Sequence, residues 1–229
     1  MNRLSTAERT DVISALVEGG SLRAAAQTTG VARMTVERLL RDMGAACQRM
    51  HEERARSVKA KRVRCDEIWS FDSGGKRDPA PGVPGKHPGA GDAWTWTALD
   101  ADSRLLLWWM VGSRDAPTAR RFLAGVSARL ANRVRLTTDG PAVHLEAADG
   151  AAADDIDEAA LARIYGAGHA PTRSRSDRRI ETHGHSVALH AAHYNFCKIH
   201  PALRVTPAME AGISNHVWSL EELVVLLEP

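Results

Sequence analysis

Over the first fifty residues apolar positions recur every three or four residues, which predicts a run of short amphipathic helices. Ser5-Thr6-Ala7-Glu8 fits a capping box, in which the serine takes an orphan amide and Glu8 reaches back. Val12, Ile13, Leu16 and Val17 follow at helical spacing, and Gly19-Gly20 stops the helix. Ser21 caps a second helix with Leu22, Ala25 and Ala26 on its inner face. Thr29-Gly30-Val31 then turns the chain into a third helix with Val36, Leu39, Leu40 and Met43 on its apolar side. The spacing fits a helix-turn-helix: Ala26 is small where two helices approach, and Gly30 permits a left-handed turn. Val31, Val36 and Leu39 would bury the second helix of the motif, leaving Arg33, Thr35, Arg38 and Arg41 to project toward a groove. An ordinary helical hairpin packed on the next domain is the alternative. Ala32 stands where a capping Ser or Thr is expected, a loss of roughly 1 kcal/mol.

The period then changes to two. Residues 64–71 alternate, with Cys65, Glu67, Trp69 and Phe71 on one side and Asp66, Ile68 and Ser70 on the other. Residues 73–91 are too rich in Gly and Pro for any element, and carry Lys76, Arg77, Lys86 and His87. Residues 93–99 alternate again, and 105–111 form a continuous apolar run suited to a strand covered on both faces. Asp100-Ala101-Asp102-Ser103 is the turn between them. Helical spacing returns over 116–130, and a short strand, 134–138, ends directly on Asp139-Gly140. Three strands in hairpin order, a helix, then a strand ending in aspartate open a ribonuclease H-like domain. In such sheets the first and fourth strands are neighbours, which brings Asp66 and Asp139 together. Paired carboxylates repel unless a hard, oxygen-seeking cation such as Mg²⁺ lies between them. Toward the C-terminus, 187–197 reads as a helix, Thr206-Pro207 starts a short one, and Ser219-Leu220-Glu221-Glu222 begins a last, docking helix.

Charge changes this picture in one place. The 30 Lys+Arg nearly balance 28 Asp+Glu across 229 residues, but residues 49–64 hold seven basic side chains against Glu52 and Glu53. Such a stretch either follows a phosphate backbone or is a solvated helix face. Three scattered cysteines make neither a disulfide framework nor a zinc pattern, and no run is long and apolar enough for a membrane span. His183, His185, His190 and His193 invite a metal reading, but lack a cysteine or second histidine pair at ligand spacing.

Longer stretches resemble the transposases of insertion sequence one and its relatives. They are CDEIWSF from Cys65, GDAWTWTALDADSRLLLWWMVGSRD from Gly91, RLANRVRLTTDG from Arg129, HYNFCKIHPALRVTPAMEAGI from His193 and HVWSLEELVVLL from His216. With the N-terminal helices the resemblance covers nearly the whole chain. It implies a helix-turn-helix that recognises element ends, and a ribonuclease H-like domain with an Asp-Asp-Glu (DDE) triad. It also implies Mg²⁺ or Mn²⁺ as cofactor, double-stranded DNA as partner, and a cytoplasmic, nucleoid-associated location; a homo-oligomer stays open. By position the catalytic, metal-binding aspartates are Asp66 and Asp139, with Glu67 facing the other way.

The third acid does not carry over. In the family a tyrosine-valine-glutamate-arginine-glutamine-asparagine stretch opens a long helix rich in Arg and Met. Here eleven residues unlike the family pattern separate Gly166 from Arg178. Glu181 matches an ordinary residue several helical turns downstream, each turn adding about 5.4 Å. Two roles stay open for Glu181 or Asp177: a replacement third acid on a helix docked one register lower, or an exposed carboxylate suited to the helix dipole.

The expected fold is therefore α/β (α+β): an N-terminal helix-turn-helix, and a truncated ribonuclease H-like mixed sheet flanked by helices. The expected domains are a DNA-binding domain at 1–48, a basic linker at 49–64 and an incomplete transposase domain at 65–229. The expected function is that of an insertion-sequence transposase that binds element ends with impaired catalysis. The alternatives are a non-catalytic repressor of intact transposases and a decaying pseudogene product.

Overall fold

The structure, a computed structural model, describes residues 4–72, 92–138, 146–147 and 177–228. The chain divides into two compact units, one of Met1–Ala55 with Thr182–Pro229, the other Arg56–Glu181.

The first unit is helical. Ser5 caps α1 (Thr6–Val17): its Oγ accepts from the Glu8 N–H at 3.2 Å, while Glu8 Oε2 accepts from the Ser5 N–H at 2.7 Å. The Ser5 N–H, and then the Ser5 hydroxyl that donates to the same Glu8 oxygen at 2.8 Å, hold the Glu8 carboxyl below its usual range. Val12, Ile13 and Leu16 form the buried face. α2 (Leu22–Thr29), capped by Ser21, ends on Gly30 in the left-handed region at φ 71°. Ala25 is its buried residue, not Ala26, which is half-buried. The long α3 (Arg33–Arg54) starts at Ala32 without a side-chain cap, and is held instead by burial from Val36 through His51.

α5 (Asp177–Ala192) continues into one π-helical turn, His193–Cys197, which buries Asn195 and Phe196. Phe196 meets Trp218 at 5.1 Å between ring centroids, and Phe196 also accepts the Trp218 amide through its carbonyl. The short α6 (Pro207–Glu210) packs on the π-helical turn, and α7 (Leu220–Val225) docks on α1. The C-terminal segment, placed by the sequence in the domain at 65–229, belongs from Thr182 onward with the N-terminal helices. The apolar side chains of α7, Leu223 and Val224, are both fully buried. At Gly44 of α3 a Cβ would stand only 2.5 Å from the His185 Cβ, so α3 and α5 cross backbone against backbone.

The second unit is a five-stranded sheet in the order β3-β2-β1-β4-β5. Its strands are β1 (Arg62–Asp72), β2 (Asp92–Asp100), β3 (Leu106–Gly112), β4 (Val134–Thr138) and β5 (Glu146–Ala147). β1, β2 and β3 pair antiparallel, β4 lies parallel to β1, and β5 is antiparallel to β4. This mixed sheet with a flanking helix is the ribonuclease H-like arrangement that the strand sequence led one to expect. The turn from β2 to β3 is fixed by Asp100, whose Oδ2 accepts from both the N–H and the hydroxyl of Ser103.

α4 (Ala116–Ser127) is capped by Asp115 and lies against β3. Phe122 reaches Trp96 at 5.6 Å between centroids, and Gly125 lets the Trp108 indole occupy the space where a Cβ would stand. The Arg129 guanidinium covers that indole at 3.6 Å from the ring centroid. The helix stops short of residue 130 because the backbone there turns to Val58: the Val58 N–H donates to the Arg129 carbonyl, and the Ala131 N–H to the Val58 carbonyl.

The expected linker at 49–64 is mostly structured. α3 runs through Arg54 and β1 begins at Arg62, since the buried Met50, His51 and Ala55 extend the helical face and Val63 starts the sheet. Among the described residues no helix is long and apolar enough to cross a membrane.

Candidate functional site

Two surfaces carry the chemistry expected from the sequence, one in each unit. The first is the outward face of α3. An α-helix turns about 100° per residue, so buried Val36, Leu39, Leu40 and Met43 fix which residues face away. Arg33, Arg38 and Arg41 are exposed, whereas Thr35 is half-buried. Met34 is 83% exposed, the most open of the large apolar side chains among the described residues. Positions 34, 38 and 41 stand at i, i+4 and i+7, forming one stripe along the centre of the outward face. Arg33 and Thr35 flank it on opposite sides, so of the four positions expected to face a groove, Arg38 and Arg41 are the central pair. Met34 was not among the positions expected to face a groove, although helical spacing from Arg38 and Arg41 puts it on their stripe.

The second surface is the face of the sheet that holds Asp66. Residues directly opposite in antiparallel strands share a face. Cys65, Ala98 and Trp108 form one row, and Glu67, Trp96 and Met110 another, both on the side where α4 packs. Asp66, Thr97 and Trp109 form a row on the opposite side. Thr97 Oγ1 donates to the Asp66 carbonyl at 3.3 Å, which ties this row together. Glu67, turned away from Asp66 as expected, lies 3.5 Å from Arg114 Nε, and that guanidinium lies over Trp94. Cys65 beneath the sheet is a neutral thiol: burial first, then the charges of Asp66 and Glu67, pushes it up to about 12.

The Asp66 carboxylate has a neighbour that the sequence did not announce. Arg64, two residues earlier and therefore on the same face, brings Nε to 3.2 Å from Asp66 Oδ2. Strand alternation was the available signal.

The parallel pairing of β1 with β4 matches Val63 to Leu136 and Cys65 to Thr138. Asp66 follows Cys65 in the chain, and Asp139 follows Thr138. Asp139 itself lies outside the described residues, as do Lys76, Arg77, Lys86 and His87 and most of the stretch that replaces the family's third-acid block. Glu181 is in the second turn of α5, with an exposed side chain. The histidines of that region favour neutrality: burial first, then His190, lowers both His183 and His193. Among the described residues no three His, Cys, Asp or Glu side chains are grouped so as to hold a metal ion.

No protein-family model matches the chain, and no curated protein matches it. A solved structure to which it is similar is the Mos1 strand transfer complex, at 13% sequence identity and a TM-score of 0.23. The match covers 62% of this chain and 53% of that one, so the chain spans about half the length of its structural neighbour.

Proposed function

We propose that this protein binds double-stranded DNA through the outward face of α3, and descends from DDE transposases of the insertion sequence one type. The observation that carries the reading is the stripe of exposed arginines on a helix entered through the left-handed turn at Gly30. Such a helix fits the major groove, with phosphates drawing the cations and base edges setting the register. The resemblance of CDEIWSF, TTDG and the C-terminal stretches supports the descent, and the ribonuclease H-like sheet is the fold that such descent requires.

Catalysis is the finer matter. Mg²⁺ or Mn²⁺, when bound in such a site, activates water or a 3′-hydroxyl and stabilises the leaving oxygen. The described residues do not fit a two-ion site by themselves. Asp66 is the described member of its aspartate pair, and its carboxylate already faces the Arg64 guanidinium. We therefore read the protein as one that occupies element ends and transfers no strand alone. The Arg64–Asp66 ion pair also favours the second reading, a non-catalytic repressor that competes with intact relatives for their DNA.

The experiment begins with selection from a random-sequence duplex pool by the full chain, followed by gel shift on the selected duplex. Arg38→Ala is expected to weaken that binding by about 1–3 kcal/mol, the value of a good bidentate base contact. Unchanged affinity in Arg33→Ala, Arg38→Ala and Arg41→Ala alike would remove α3 from the interface. The same duplex, incubated with Mg²⁺ or Mn²⁺, is expected to stay unnicked. Cleavage abolished by Asp66→Asn would restore catalysis, and its further loss in Glu181→Gln would make Glu181 the replacement third acid.

A further inference from the structure

We propose that Met34 reads a thymine 5-methyl group in the major groove, making it a specificity-determining residue of α3; this rests on the DNA-binding reading above. Met34 occupies the second residue of α3, in the N-terminal turn, the part of a recognition helix that contacts base edges. Its 83% exposure means that the side chain contributes little to the packing of this chain. It shares its stripe with Arg38 and Arg41 and is flanked by Arg33, all exposed.

Glu37 and Asp42 also lie on the outer half of the helix, so the face carries three positive charges against two negative ones. The net charge still complements a phosphate backbone, and no acidic residue stands in the first turn of α3 beside Met34. A protein-docking surface would cluster apolar side chains; here the one large apolar group is ringed by charge. The thymine methyl is the apolar feature that the major groove offers, and a flexible thioether adapts to it. Arg38, one turn further along the same stripe, is then placed for a neighbouring guanine edge.

The test uses the full chain and the duplex selected from the random pool, with each thymine replaced in turn by uracil, which lacks only the methyl group. At one position uracil is expected to weaken wild-type binding roughly fourfold, the factor that follows from burying about one methyl. Met34→Ala should bind the thymine duplex about as weakly as wild type binds the uracil duplex, and should not distinguish the two. Alanine at this exposed helical position leaves the fold intact, and circular dichroism verifies it. A uracil effect equal in both proteins, or absent from both, overturns the assignment of Met34 while leaving DNA binding in place. Failure of the wild type to select or shift any duplex overturns instead the DNA-binding reading, and the inference with it.

Discussion

Phe122→Ala should remove about 3–5 kcal/mol of stability, the usual cost of deleting a buried aromatic ring. The ring is 1% exposed and sits between α4 and the sheet, 5.6 Å from Trp96 between centroids. Few neighbours can collapse into the space. On one side stands a strand pinned by pairing to both β1 and β3. On the other, α4 is anchored at its start by the Asp115 cap and past its end by the bonds to Val58. Hydrogen exchange read by mass spectrometry should show the loss in peptides covering 92–112 and 116–127. Urea unfolding with a midpoint shift worth less than about 1 kcal/mol would mean that α4 does not cover this face.

A pair of glycine replacements should move in opposite directions. A helix-interior glycine ordinarily costs about 1 kcal/mol relative to alanine, so Gly184→Ala in α5, with nothing within 4 Å of the added atom, should stabilise by roughly that amount. Gly44→Ala in α3 has the same intrinsic gain but meets the His185 Cβ, Cα and carbonyl oxygen at 2.5, 2.6 and 2.6 Å. Two of those three atoms are backbone, so no rotamer change relieves the clash and one helix must shift. Overpacking of this kind typically costs about 1–3 kcal/mol, and the displaced backbone puts Gly44→Ala at or beyond the upper end. Thermal melts of the two variants against wild type decide the matter. A Gly44→Ala protein as stable as Gly184→Ala would contradict the close crossing of α3 and α5.

Much of the local structure was legible because it depends on neighbours in sequence. The capping box Ser5–Glu8 forms as its spacing indicates, the last helix starts after Ser219, and Gly30 takes the left-handed conformation that the turn needs. The strand at Val134–Thr138 begins and ends where its apolar alternation does. Other features depend on contacts distant in sequence. Local propensity would carry α4 to residue 130, but pairing with Val58 claims the backbone at Arg129 and Ala131. Ala25 and Ala26 are equivalent to any periodicity argument, and only the helix packed against them decides which is buried. The partition of the C-terminal segment was invisible for the same reason: an amphipathic α7 needs an apolar surface, and α1 and the sheet both offer one. At the acidic site, Asp66 was marked by its motif, whereas Arg64 becomes meaningful only once the pleat places both on one face.

The division of the chain has a consequence for how the protein is made. Its helical unit joins the first 55 residues to those from Thr182 onward, and the sheet unit is encoded between them. A ribosome adding roughly 5–20 residues per second therefore delivers α1, α2 and α3 about 6–25 s before Thr182. Throughout that delay α1 lacks the α7 that docks on it, and α3 lacks the α5 backbone that crosses it at Gly44. The nascent helices are then open to holding chaperones, while the strands synthesised meanwhile can close on one another without waiting. A message cut short after the sheet would release a finished β unit tethered to an unfinished helical one, whose bare apolar faces mark it for proteolysis.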